Sequence, residues 1–234
     1  MIKAVFFDWF NTIAHYQPPR EELEQQALKE LGFTVPLQTV SQGLYLSDKR
    51  YYEENARLPI RQRSPDEQAK AYADIQATIL TEAGIQPSPE IVMKLILRMR
   101  ELYRQMKFVL YGDVLPTLQA LKAKRLTIAL LTNLQREIDD MVRELGIAPY
   151  IDFAVTSGEV GADKPQPPIF LKALELAKVK PAEAIHIGDQ YQNDVLGARG
   201  VGIPALLIDR TDLHPEVTDC PRLKTLMEVV TFLG

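Results

Sequence analysis

The sequence predicts an α/β fold: a doubly wound parallel sheet interrupted after its first strand by a helical insert. Three observations carry this. Val5–Phe7, Leu126–Leu131, Ile151–Val155, Ala184–Ile187 and Ala205–Ile208 are short apolar runs without alternation, the pattern of strands buried on both faces. Helix-period segments lie between them, and strands alternating with helices imply βαβ units and a parallel sheet. From about Gln17 to Lys107 the strand signal disappears and helix follows helix. The expected domains are therefore an α/β core over residues 1–16 and 108–234 and a helical cap over residues 17–107.

In chain order, Val5–Phe7 is the first strand and stops at Asp8. In the insert, a helix over Glu21–Leu31 ends at Gly32 and a second begins near Pro36. Ser64-Pro65-Asp66-Glu67 is a capping box with proline at the first helical position, and Ser88-Pro89-Glu90 repeats the cap and proline signal. Past the insert, helices are predicted over Leu115–Lys124, Glu137–Leu145, Pro168–Ala177 and Asp194–Arg199. Gly146 and Gly200 stand where two of them should stop in a left-handed residue.

Composition narrows the function. Of 234 residues, 46% are hydrophobic and 25% charged, an ordinary globule. A net charge of −4 gives no general attraction to nucleic acid or an anionic membrane. One cysteine, Cys220, allows no internal disulfide, and the apolar run before Asp8 is too short for a signal or membrane segment. A cytoplasmic enzyme is expected, a monomer or weak homodimer with no nucleic-acid or membrane partner.

The chemistry-bearing residues fall at strand ends. Asp8 follows the first strand, with Thr12 four residues on. In open α/β sheets ligands bind outside the carboxyl ends of the strands, although an acid there also reads as a simple cap. Leu131-Thr132-Asn133 brings a hydroxyl and an amide to the same edge, where a following helix offers N–H groups to an anion. Lys164 lies in the loop Gly161-Ala162-Asp163-Lys164-Pro165. In His186-Ile187-Gly188-Asp189-Gln190-Tyr191-Gln192-Asn193-Asp194, two carboxylates five residues apart across a strand-to-helix turn can hold a hard cation such as Mg²⁺.

In their order and spacing these motifs resemble the haloacid dehalogenase (HAD) superfamily, in the branch with a helical cap after the first motif. Asp8–Thr12, Thr132, Lys164-Pro165 and Gly188-Asp189 with Asn193-Asp194 match its four motifs. The resemblance implies a Rossmann-like core, Mg²⁺ as cofactor and a nucleophilic aspartate, Asp8, that forms an aspartyl-phosphate. It implies Lys164 and Thr132 as its catalytic partners, and Asp8, Asp189, the Phe10 backbone carbonyl and Asp194 as the metal site, Asp194 acting through the metal waters. Thr12, Asn133 and Trp9 complete the substrate-binding set, the first two with backbone N–H groups.

One position departs from the pattern. Phosphatases of this family carry a second aspartate two residues after the nucleophile, as general acid and base; here it is Phe10. The 2-haloacid dehalogenases also have an aromatic residue there, since a halide leaves without a proton, but they lack an acid at the position of Asp189 and work without Mg²⁺. Mg²⁺-dependent hydrolysis of a small phosphorylated metabolite is the leading expectation. A catalytically weak phospho-ligand binder or regulatory relative and a 2-haloacid dehalogenase are the alternatives.

Four further residues or groups invite a role. Lys49, Arg50, Arg57, Arg61 and Arg63, beside Tyr51 and Tyr52, could meet an anionic substrate, yet the neighbouring Asp48, Glu53 and Glu54 fit a solvated face better. His15 could reach a leaving group, although a loop histidine is more often simply exposed. His186, inside an apolar strand, reads as a core histidine, and Cys220 as inert.

Overall fold

The computed structural model describes residues 1–135 and 138–234, and of Ala56 and Arg61 the backbone alone. Its elements are β1 (Ala4–Phe7), β2 (Ala14–Gln17), α1 (Arg20–Glu30), α2 (Leu37–Arg57), α3 (Pro65–Glu82), α4 (Pro89–Leu102), β3 (Lys107–Leu110), α5 (Val114–Ala123), β4 (Thr127–Thr132), α6 (Asp139–Glu144), β5 (Phe153–Thr156), α7 (Ser157–Val160), α8 (Pro167–Ala177), β6 (Ala184–Gly188), α9 (Gly197–Gly200), β7 (Ala205–Ile208), β8 (Arg222–Leu223) and α10 (Met227–Phe232). Two compact units result: Met1–His15 with Phe108–Gly234, and Tyr16–Lys107. Among the described residues no helix is long and apolar enough to cross a membrane.

The first unit is built on a six-stranded sheet in the order β5-β4-β1-β6-β7-β8, with all neighbouring strands parallel. Strand order reverses at β1, which lies between β4 and β6, so the crevice that such sheets offer to ligands opens at the carboxyl end of β1. Both faces are covered, which explains the unbroken apolar runs. Val5, Phe7, Ile128, Leu130, Ile185 and Ile187 pack with α5, α6 and α10 on one face. Ala4, Phe6, Ala129, Leu131, Ala184 and Leu207 pack with α8 and α9 on the other. Burying a side chain such as Phe6 or Phe7 stabilises the fold by about 1.5–3 kcal/mol each.

The helical unit has its own core, in which Leu23 and Leu28 of α1 meet Leu44 of α2, Leu80 of α3 and Leu95 and Met99 of α4. The capping box predicted at Ser64 is present: the Glu67 N–H donates to Ser64 Oγ and the Ser64 N–H to Glu67 Oε2. Ser88 caps α4 through the N–H of Ile91.

Several expectations change in detail. β2 and β3 form a two-stranded ribbon that the apolar pattern does not announce. The predicted helix over Asp194–Arg199 is a π-helical run, Tyr191–Leu196, continued by α9. Its left-handed stop is Gly202, with φ +83°, and not Gly200, whereas Gly146 is left-handed as expected, with φ +73°. The predicted start of one helix at Glu137 lies outside the described residues; the helix itself is α6.

Candidate active site

The sheet register carries the first motif to the crevice. The Asp8 N–H donates to the Ile187 carbonyl at 2.8 Å, so the parallel ladder runs one residue past β1 and leaves Asp8 at the carboxyl edge. The chain then turns tightly. Both Ile13 and Ala14 donate to the Trp9 carbonyl at 3.0 Å, Asn11 donates to the Ala14 carbonyl at 2.8 Å, and Asn11 has φ +58°. Asparagine is among the side chains that tolerate that conformation.

Lys164 is the hub. Its buried ammonium donates to Asp8 Oδ1 at 2.5 Å, to Asp194 Oδ1 at 2.7 Å and to the Leu131 carbonyl at 3.0 Å, so all three donors are used. Burial opposes its charge, but the two carboxylates outweigh burial and hold the lysine protonated, above its ordinary range. The amide of Asn133 fixes it from behind: Oδ1 accepts from the Lys164 N–H at 2.7 Å and Nδ2 donates to the Lys164 carbonyl at 3.1 Å. The Asn133 side chain is thus engaged with Lys164 rather than free for a substrate.

Asp194 is held just as firmly. Its Oδ1 also meets His186 Nε2 at 3.0 Å, and Oδ2 accepts the Gln190 N–H at 3.0 Å. Burial would raise its pKa, but Lys164 and the His186 hydrogen bond hold it well below the usual carboxylate range. Burial lowers the pKa of His186, so the neutral ring donates from Nε2 to the ionised acid. Gly188 makes room for this: a Cβ there would lie 2.1 Å from Asp194 Cγ. Gly188 was read from the sequence only as part of the fourth motif and His186 only as a core histidine, so the contacts of both with Asp194 were not foreseen.

Asp189 is differently placed. Its Oδ1 is buried without a hydrogen-bond partner. Burial, followed by the charges of Asp8 and Asp194, pushes its pKa well above the ordinary value. Asp8 itself is pushed up to about 6, chiefly by burial, with Lys164 opposing and Asp194 adding to the rise. Carboxylate oxygens of Asp8, Asp189 and Asp194 lie within 4.8 Å of one another. Three acids around one ammonium leave an excess of negative charge, and the all-oxygen donor set with an orphaned Asp189 oxygen fits a hard divalent cation such as Mg²⁺.

Thr132 is buried at the end of β4, and Thr12 is fully buried with its hydroxyl unpartnered. Trp9, expected among the substrate-binding residues, has its indole fully buried in the core, edge-on to Phe108 with centroids 5.5 Å apart, so its side chain is a packing group. Phe10 is partly buried and also meets Phe108 edge-on, at 6.3 Å. The His15 ring lies tilted against Tyr111, with centroids 4.5 Å apart.

Within the helical unit the predicted basic cluster divides. Lys49, Arg50 and Arg57, with Glu53, Glu54 and Thr78, line a groove of about 450 Å³. Arg63 instead closes the end of α2, donating to Glu54 Oε2 at 2.8 Å and to the Leu58 carbonyl at 2.9 Å. The side chain of Arg61 lies outside the described residues.

A doubly wound parallel sheet that gathers an aspartate, a threonine, a lysine and two further aspartates at one carboxyl edge has the makings of a hydrolytic enzyme. The model of the haloacid dehalogenase-like hydrolases matches residues 2–202, and the chain belongs to that family. It is 37% identical over 125 residues to the bovine (Bos taurus) haloacid dehalogenase-like hydrolase domain-containing protein 3, a match spanning 50% of each chain. It is 28% identical over 250 residues to the glyceraldehyde 3-phosphate phosphatase of Methanopyrus kandleri, covering 100% of this chain and 99% of that one. Among solved structures it resembles a HAD phosphatase from Thermococcus onnurineus, with TM-score 0.59 and 23% identity over 100% of this chain and 98% of that one. It also resembles a 2-haloacid dehalogenase from Pseudomonas syringae, with TM-score 0.57 and 24% identity over 100% and 98% of the two chains. At such identities the two structures speak for the fold alone.

Proposed function

We propose that this chain is a Mg²⁺-dependent phosphohydrolase of small phosphorylated metabolites that works through an aspartyl-phosphate on Asp8. The observation that carries the reading is the orphaned carboxylate oxygen of Asp189 beside Asp8 and Asp194, an excess of negative charge that a bound cation would balance. The phosphatase names of the Methanopyrus kandleri relative and of a Thermus thermophilus relative, a phosphoserine phosphatase, agree with it.

Asp8, Asp189 and the Phe10 carbonyl would hold the ion and Asp194 would orient its waters; once bound it screens the repulsion between two anions. Lys164 keeps the Asp8 carboxylate ionised and offers positive charge to the transferring group. An Asp8 oxygen attacks phosphorus, the bond from phosphorus to the leaving oxygen breaks, and that oxygen departs with the electron pair. Thr132 and backbone N–H groups of the first-motif turn would bind the phosphoryl oxygens. Water then cleaves the acyl phosphate to regenerate Asp8 and release phosphate. Because Phe10 cannot protonate a leaving oxygen, acyl and aryl phosphates, whose leaving groups depart unprotonated, are the favoured substrates.

The helical unit over Tyr16–Lys107 is read as the substrate-selecting cap. The 2-haloacid dehalogenase reading draws on Phe10 alone and gives Asp189 no task. p-Nitrophenyl phosphate hydrolysis should require Mg²⁺ and vanish in Asp8→Asn; chloride release from 2-chloropropionate that survives EDTA would overturn the proposal.

A further inference from the structure

Arg210 follows β7, far in sequence from the first motif, yet its guanidinium is built into that motif's turn. Its Nη1 and Nη2 donate to the two oxygens of Asp113 at 2.7 and 3.0 Å, and Nη2 also donates to the Thr12 carbonyl at 3.0 Å. The guanidinium carbon stands 3.8 Å from the centroid of the Tyr111 ring. The Tyr111 N–H in turn donates to the Ile13 carbonyl at 3.2 Å. Successive carbonyls of the turn that begins at Asp8 are therefore gripped from outside, Thr12 by Arg210 and Ile13 by the residue on which Arg210 stacks. Asp113, at the start of α5, is itself fixed by the Leu226 N–H, which donates to its Oδ2 at 2.8 Å.

The choice of side chain is informative. A planar fork can hold a carboxylate with two bonds, spare an N–H for a carbonyl and lie flat on a ring at once; a lysine ammonium cannot match that geometry. Arg210 does so with its Nε buried and unpartnered. A plain tie between β7 and α5 would need only the Asp113 bonds.

We propose that Arg210 is a positioning residue for the chemistry at Asp8: it sets the Thr12 peptide, and with it the turn that holds the nucleophile against Lys164. The inference rests on the proposed function for its kinetic consequence, but not for its structural one. Misplacing a reacting group by an ångström can cost about 100-fold in rate, and a lysine that retains part of the contact should cost less.

The test compares wild type, Arg210→Lys, Arg210→Ala and Asp113→Asn. Arg210→Lys should lower kcat for p-nitrophenyl phosphate about 10-fold with KM within about 2-fold, while the thermal midpoint stays close to wild type. Added methylguanidinium should restore part of the rate of Arg210→Ala. Asp113→Asn, which loosens the fork but leaves the arginine, should fall in between. Amide exchange followed by mass spectrometry should quicken over residues 9–14 in Arg210→Lys and remain unchanged in β6. Unchanged exchange over residues 9–14 overturns the inference, as does a kcat of Arg210→Lys within about 2-fold of wild type. If the wild type hydrolyses no phosphate ester, the proposed function fails, and the exchange measurement alone decides the role of Arg210.

Discussion

Glu24 lies on α1 with its carboxyl fully buried in the helical unit. Oε1 accepts from Gln76 Nε2 at 2.6 Å, whereas Oε2 has no partner. Burial pushes its pKa up to about 7 against an ordinary 4.5, with Arg20 and the Gln76 hydrogen bond opposing the rise. In the pH range between those values the folded state binds the proton and the unfolded state does not. Stability is therefore full below about pH 4.5, declines as pH climbs toward 7 and is flat above it. At about 1.4 kcal/mol per pH unit the loss is about 3 kcal/mol. Glu24→Gln keeps the size and an oxygen for Gln76 but never ionises. It should match wild type near pH 5 and exceed it by up to about 3 kcal/mol at pH 8. The assay is urea unfolding followed by far-ultraviolet circular dichroism at pH 5, 6, 7 and 8, with amide exchange in α1 and α3 to assign the change to this unit. A variant that gains nothing between pH 5 and pH 8, or is weaker than wild type at pH 8, refutes the reasoning.

Further perturbations probe the core unit. Gly188→Ala would set a Cβ 2.1 Å from Asp194 Cγ, so steady-state assays and thermal melts should find both turnover and stability sharply reduced, the latter by about 2 kcal/mol or more. Asn133→Ala removes both bonds to the Lys164 backbone and should lower kcat about 10- to 100-fold with a stability loss of about 1–3 kcal/mol, checked by the same two measurements. Phe10→Asp should raise turnover of alkyl phosphates by about 10- to 1,000-fold. In wild type, mass spectrometry after incubation with acetyl phosphate should trap phosphorylated Asp8; no phosphoenzyme and no gain in rate would refute the idea of a phosphatase short of one proton carrier.

The doubly wound sheet was legible because β1, β4, β6 and β7 are covered on both faces, so their apolar runs stand out without any knowledge of partners. The β2–β3 ribbon was not: Ala14–Gln17 mixes a buried alanine with half-buried and exposed polar residues, and its partner is remote in sequence. The π-helical run at Tyr191–Leu196 hides for another reason, because the same spacing also reads as an ordinary helix. At the site, Asp8, Thr132 and Asp189 could be picked out because strand ends mark them, and the loop residue Lys164 because of its place in the order of the motifs. The bonds that orient them could not. The Asn133 amide reaches Lys164 across 31 residues, His186 looks like filler in an apolar strand, and Arg210 shares no motif with the turn it grips.

Phe10 and Asp189 pull the functional reading in opposite directions, and their physical costs decide between them. The Phe10 ring rests edge-on against Phe108 as part of an apolar patch, an arrangement that folding favours whatever the chemistry. An aromatic residue there is thus weak evidence for a leaving group that needs no proton. Asp189 is the reverse. Placing a half-buried carboxyl beside two other acids, with one oxygen enclosed and unpartnered, opposes folding when that carboxyl is ionised. A side chain that destabilises its own fold is explained when a ligand removes the penalty, and a divalent cation held by Asp8 and Asp189 would do so. The cation reading accounts for the costly residue and leaves the neutral one as packing, whereas the dehalogenase reading explains the neutral residue and leaves the costly one without a purpose.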